Sequence, residues 1–258
     1  MADIRYRSGD DEIDAYITGS NNEKAVIVIH EIFGLDEHTK SVADRLADIG
    51  YTAMAPDLFS SRYFSSRISK NDIYKTMDFI MSIPPGKQRD NDFRMHKLME
   101  MDENERRSIE KVNELLFVNR PVDLLTEYLK DGVLYLKSRG IKKVGSVGFC
   151  FGGGMSINLG CTGTVDATAI YYGENPEPLE KLKNVNAVIG FYAGEDKRIT
   201  SKVPDLISEL YKYNKEVTVK IYPGAYHAFF NSTRPKIYND AAARDSWELL
   251  VQFFNNHL

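Results

Sequence analysis

The chain has 258 residues, 43% of them hydrophobic, with a formal net charge of -4, so a sizeable core is possible and no basic stripe points to a nucleic-acid partner. Its two cysteines, Cys150 and Cys161, are too few for a disulfide framework or a zinc cluster. The polar first twenty residues lack a signal-peptide core, and no run approaches the roughly 18 apolar residues of a membrane span; the expectation is a cytoplasmic protein with no membrane partner.

Asp3 to Arg7 and Ile13 to Thr18 read as short strands, the second alternating apolar and polar residues as a half-buried strand does. Ala25 to Ile29 is a continuous apolar run, suited to a parallel strand buried on both faces. It runs into His30-Glu31-Ile32-Phe33-Gly34, and a helix is predicted from about Asp36 to Ile49, with Val42, Leu46 and Ile49 on one face. Tyr51 to Ala55 is the next strand. From about 59 to 119 the pattern changes: Ile73, Met77 and Ile80 share helical spacing, Pro84-Pro85-Gly86 interrupts it, and a charged stretch follows from Lys87 to Lys111. This part reads as a helical insertion in a single domain spanning 1–258, at a place where a lid over a site could sit.

Alternation then resumes. Leu125, Leu129, Val133 and Leu136 mark a helix ending at Gly140, Val144 to Phe149 a strand, and Met155 to Leu159 lie on the helix after it. Ala167 to Tyr172 and Ala187 to Tyr192 are strands, Asp205 to Tyr213 a helix, and Val217 to Tyr222 a strand. Trp247, Leu250, Val251 and Phe254 are the stripe of a last helix. Strands alternating with helices predict an α/β fold, a mostly parallel sheet covered on both faces.

Gly148-Phe149-Cys150-Phe151-Gly152-Gly153 sits between a strand and a helix. It has the G-x-C-x-G form of a nucleophile elbow with cysteine in place of serine. A Cβ at Gly148 or Gly152 would crowd the turn, and the helix start favours a thiolate at Cys150. The competing reading is a glycine-rich turn with an inert buried cysteine. The elbow's chain order of nucleophile, acid and histidine leaves His227 and His257 as candidate bases. His257 is next to the last residue and expected to be solvated, whereas His227 follows a strand. Asp196, with Glu195 in reserve, ends a strand between them and would orient the imidazole; its bland alternative is a turn aspartate.

His30-Glu31-Ile32-Phe33-Gly34-Leu35, Ala55-Pro56-Asp57-Leu58, the cysteine elbow, Tyr171-Tyr172-Gly173, Gly194-Glu195-Asp196 and His227-Ala228-Phe229 together resemble the dienelactone hydrolase family. The resemblance runs from the first strands to the last helix, and 59–119 is its poorly matched part. It implies an α/β-hydrolase fold and cofactor-free cleavage of a small-molecule ester or lactone. Cys150 would be the nucleophile, His227 the base and Asp196 its partner. Glu31 would lie near the thiol and take its proton when substrate arrives; a resting carboxylate there would keep the thiol neutral. The backbone N–H groups of Phe151 and Ile32 would form the oxyanion hole. Tyr172, Arg62, Arg67 and Arg234 are the candidates for holding substrate. For each arginine the default is a solvated surface charge, and Asn231 and Ser232 stand where a family arginine would be expected.

Two other classes remain open in the sequence. One is a non-catalytic or redox-sensing thiol on the same fold, with a transferase or peptidase on the same triad beside it. The other is metal hydrolysis, suggested by His30, Glu31 and His38. The sequence gives no H-E-x-x-H spacing, since Gly34 occupies the second histidine's place, so no metal is expected. Substrate identity and oligomeric state are not legible.

Overall fold

A computed structural model of the chain describes residues 2–20, 23–84, 87 and 90–258. The first elements are β1 (Ala2–Ser8), β2 (Asp11–Thr18), β3 (Lys24–Ile29), α1 (Glu37–Asp48) and β4 (Thr52–Pro56). Next come α2 (Arg62–Ser65), α3 (Lys70–Ser82), α4 (Asn91–Met99), α5 (Glu103–Asn113) and a π-helical turn, Glu114–Val118. Then follow α6 (Val122–Ser138), β5 (Lys143–Phe149), α7 (Phe151–Gly160), β6 (Ala167–Tyr171), a 3-10 turn (Leu179–Asn184) and β7 (Ala187–Ala193). The chain closes with α8 (Lys197–Thr200), α9 (Val203–Lys212), β8 (Glu216–Tyr222) and α10 (Asp240–His257). Two compact units result: Met1–Leu58 with Asp123–Leu258, and Phe59–Val122.

The first unit is built on an eight-stranded sheet of order β1-β2-β4-β3-β5-β6-β7-β8. β1 and β2 are antiparallel, as are β2 and β4. From β4 to β8 every pairing is parallel. The apolar runs of β3, β6 and β7 are buried along almost their whole length, as strands covered on both faces must be. Val42, Ala43 and Leu46 of α1 share one core with Leu250, Phe253 and Phe254 of α10. Ile157 of α7 and Leu206 and Leu210 of α9 share another with Ile170 and Val188. Each fully buried Leu or Phe contributes about 1.5–3 kcal/mol. The strand order runs one way from β3 to β4 and the other way from β5 to β8. Their carboxyl ends flank the switch point where α/β sheets leave a crevice.

The α1 prediction is met within a residue at each end, and Asp36 is its N-cap, accepting from Thr39 N at 2.9 Å. α7 starts at Phe151, directly after Cys150, and carries the predicted Met155 to Leu159. In α10 the buried face centres on Ser246, Leu250, Phe253 and Phe254, with Trp247 and Val251 only partly covered. His257 is not solvated as expected. Its ring reaches Phe253 O at 2.8 Å and Glu216 Oε1 at 3.1 Å, tying α10 to β8.

The second unit is helical and is held largely by local signals. Ser69 and Asp72 form a capping box on α3, with Asp72 N to Ser69 Oγ 3.1 Å and Ser69 N to Asp72 Oδ2 2.8 Å. Asp90 caps α4 and Asp102 caps α5. Its small core is Phe79, Ile83, Leu98 and Ile109. The buried face of α3 is Ile73, Thr76 and Phe79, offset by one from the predicted Met77 and Ile80. Thr76 tolerates burial because its hydroxyl donates to Asp72 O at 2.8 Å. Of the predicted Pro84-Pro85-Gly86 break, Pro85 and Gly86 lie outside the described residues.

Candidate active site

β5 delivers Cys150 into a turn with φ 56° and ψ -115°, a conformation L-residues rarely take. Such a residue is strained by about 1–3 kcal/mol and persists only where its surroundings fix it. Two glycines permit the turn: a Cβ on Gly148 would lie 1.9 Å from Gly152 O, and one on Gly152 would lie 2.3 Å from Ile29 O. The elbow therefore packs directly on the end of β3. On its other side Cys150 N donates to Tyr171 O at 3.0 Å, anchoring it to β6. Cys150 is half-buried, at the N-terminus of a helix whose every described side chain but Asn158 is buried.

His227 and Asp196 reach the same edge from β8 and β7. Gly194 N donates to Tyr222 O at 2.9 Å and Glu195 N to Ala225 O at 3.0 Å, so the two loops are laced together. Asp196 is buried and Glu195 exposed. Asp196 Oδ2 lies 2.5 Å from His227 Nδ1, and its Oδ1 caps α8 through Ile199 N at 3.4 Å. Burial works to raise the Asp196 pKa, but the His227 hydrogen bond and charge outweigh it, and the carboxyl titrates below its ordinary value. Burial works to lower the His227 pKa; the charge of Cys150 and hydrogen bonds to Asp196 and Cys150 overcome that and push it up to about 10. One-third of the His227 side chain remains exposed. Cys150, Asp196 and His227 thus follow the carboxyl ends of β5, β7 and β8, with Asp196 and His227 hydrogen-bonded to each other.

Glu31 follows β3 and is 1% exposed. Its Oε2 pairs with Arg234 Nη2 at 2.7 Å and accepts from Asn231 Nδ2 at 3.4 Å. Its Oε1 has no hydrogen-bond partner among the described residues. Burial raises the Glu31 pKa against the opposing charges of Arg234 and His227. Tyr172 is also fully buried, its ring 5.1 Å from that of His227 and its hydroxyl without a partner among the described residues. Burial, then the charges of Glu31 and Cys150, raise its pKa well above the ordinary range.

Ile32 lies in the loop after β3 and Phe151 opens α7. The stacked rings of His30 and Phe151, 5.8 Å apart, hold that loop against the helix start. His30 is not arranged as a metal ligand. Its Nε2 accepts from Leu58 N at 3.2 Å, so its Nδ1 carries the proton and donates to Glu31 O at 2.6 Å. Burial lowers its pKa and keeps it neutral.

Of the arginines, Arg234 departs from the expected surface charge: it is 18% exposed, paired with Glu31, and its guanidinium lies 5.1 Å from the Phe33 ring centroid. Asn231, which the sequence marks only as standing in the place of a family arginine, shapes this approach. Its Oδ1 accepts from Thr233 N at 3.0 Å and Thr233 Oγ1 at 2.6 Å, a local turn that brings in the arginine three residues on. The Asn-Ser-Thr-Arg string after Phe230 was the available signal. Arg62 and Arg67 belong to the helical unit, where both are exposed. Arg67 donates to Tyr63 O at 2.6 Å and stacks on the Tyr63 ring.

A mostly parallel sheet with helices on both faces and this motif order at its strand ends define an α/β-hydrolase fold. The model of the dienelactone hydrolase family matches residues 13–258, and the chain belongs to that family of hydrolases. A protein of Saccharolobus solfataricus called "Putative carboxymethylenebutenolidase" is 41% identical over 256 residues, covering 97% of this chain and 96% of the relative. "Protein usf" of Aquifex pyrophilus is 30% identical over 241 residues, covering 90% and 88%. The crystal structure of dienelactone hydrolase from Anabaena variabilis aligns with a TM-score of 0.65 at 15% identity, over 100% of this chain and 97% of that one, a likeness of fold. No described helix is long and apolar enough to cross a membrane.

Proposed function

We propose that the protein hydrolyses a small ester or lactone, with Cys150 as nucleophile, His227 as acid and base, and Asp196 as the group that orients the imidazole. The observation that carries this reading is the 2.5 Å His227–Asp196 bond beside a cysteine held at positive φ. With its pKa pushed up to about 10, His227 carries a proton at neutral pH that it can pass to the leaving group. The sulfur attacks the carbonyl carbon, and the N–H groups of Ile32 and Phe151 receive the developing oxyanion, each such donor contributing roughly 2.7–4 kcal/mol. His227 gives its proton to the departing alkoxide, which in a lactone stays tethered as the ring opens. Water then attacks the thioester with His227 as base, releasing the acid and restoring the thiol. No cofactor enters these steps.

Glu31 takes the proton-exchange role that the resemblance implies. Its buried position, its raised pKa and an Oε1 without a hydrogen-bond partner among the described residues favour it. Arg234, which pairs with the other Glu31 oxygen, and Tyr172, whose ring lies 5.1 Å from that of His227, are the substrate-holding groups on this reading, whereas Arg62 and Arg67 find no such support. The test is hydrolysis of a panel of short-chain p-nitrophenyl esters and dienelactone by the native chain, Cys150→Ala and Glu31→Gln. Turnover abolished in Cys150→Ala and slowed in Glu31→Gln is the expected result. Undiminished turnover in Cys150→Ala would end the reading, and full activity in Glu31→Gln would remove Glu31 from it.

A further inference from the structure

β8 is the last strand of the sheet, and no described strand pairs with its outer side. Its sequence, Glu216-Val217-Thr218-Val219-Lys220-Ile221-Tyr222, is rich in β-branched residues and has none of the proline or bulge that blunts an edge. Exposed apolar side chains gather around it: Ile221 on the strand, Ile207 and Tyr211 on α9, which packs against it, and Tyr226 in the loop that follows.

The charges along this edge are self-complementary under a two-fold axis. Antiparallel pairing of two copies centred on Thr218 sets Glu216 opposite Lys220 of the second copy, and the reverse, with Val217 opposite Val219. Directly opposed residues share a face of the joined sheet. Centring the axis on a residue, with the axis normal to the sheet, keeps α10 of both copies on one side. On that face Lys220 already pairs with Asp245 at 2.6 Å and Glu216 with His257 at 3.1 Å. The cross-pair would therefore join them into a chain of alternating charge, formed twice. Moving the centre by one residue to Val219 places Glu216 opposite Tyr222 and loses both ion pairs.

We propose that β8 is a homodimer interface, in which two copies of this chain join edge to edge, antiparallel about Thr218, into one continuous sheet. The proposal is independent of the reaction assigned above.

Sedimentation equilibrium of the full chain tests it. The native protein is expected at twice 29.3 kDa. Glu216→Lys and Lys220→Glu, each setting like charges across the axis twice, are expected as monomers with native circular dichroism. Mixing the two variants restores both ion pairs in a heterodimer and should recover the dimer mass. Thr218→Asp, which puts two carboxylates on the axis at an exposed position, should also give a monomer. A native chain that stays monomeric into high micromolar concentration overturns the proposal. So does a dimer that survives all three substitutions, or a mixture that fails to re-form one.

Discussion

The two units of the chain are held by different means. In the sheet unit, residue identities answer to distant neighbours: Gly148 and Gly152 exist because backbone from β3 and α7 occupies the space of their Cβ atoms. Glu31 is tolerated inside because Arg234, far along the chain, meets it. In the helical unit the stabilising contacts are mostly local, made by caps at Ser69, Asp90 and Asp102 and by exposed pairs such as Arg107 with Glu103. The difference teaches where chemistry can be supported. A cysteine held at positive φ and a buried carboxylate need surroundings that over-determine them, and among the described residues both are found in the sheet unit.

Substitution should separate the units sharply. The largest effect expected is that of Asp196→Asn, which leaves packing intact but allows the wrong imidazole tautomer; kcat should fall by about 10⁴-fold with little change in KM. Next is Gly152→Ala, whose methyl would meet Ile29 O at 2.3 Å and His30 O at 2.5 Å. A loss of roughly 4 kcal/mol or more in urea unfolding is expected, since only backbone can yield. Arg234→Ala leaves the Glu31 carboxylate buried without its cation and should cost about 3–5 kcal/mol at neutral pH. Combining it with Glu31→Gln should recover part of that loss. Ser69→Ala, in the helical unit, should cost about 1 kcal/mol by removing one cap. A Ser69→Ala effect as large as that of Gly152→Ala would break the comparison.

The smallest effect sharpens it by pH. His227 has a folded pKa of about 10 against an ordinary 6.5, so its contribution to stability is complete below 6.5 and is lost as pH rises through 10. Asp72, Asp90 and Asp102 of the helical unit titrate below their ordinary 3.8. For Asp72 burial opposes the shift and bonds to Ser108 and Ser69 outweigh it; Lys87 leads for Asp90 and the Glu105 N–H for Asp102. Their contribution is present above 3.8 and is lost as pH falls through the depressed values. Hydrogen exchange should therefore show alkali loosening the strand ends around His227 while acid loosens the caps of α3, α4 and α5.

The same contrast explains what could be read from the sequence. The sheet, its helices and the positions of Cys150, Asp196 and His227 were legible because burial on both faces leaves continuous apolar runs. A strand-to-helix turn also leaves its glycines in fixed places. Arg234 was not legible as a buried partner. Its route to Glu31 depends on the Asn231 turn, and nothing in local sequence tells a charged residue what lies across the fold. α4 and α5 were legible only as part of a helical insertion, without bounds, for the opposite reason: their short apolar faces are swamped by charge, and their caps are the clearest signals they carry. His257 misled by its place beside the last residue, where a long-range bond to Glu216 overrides the default of a solvated terminus.

The central claim, that Cys150 becomes acylated, is tested most directly by quenching the protein during turnover of a p-nitrophenyl ester and weighing the peptide that contains residue 150. An added acyl mass on Cys150, absent from Cys150→Ala and cleared by hydroxylamine, is the predicted result. Sustained hydrolysis with no acyl mass on that peptide, and with Cys150→Ala turning over at the native rate, would contradict it.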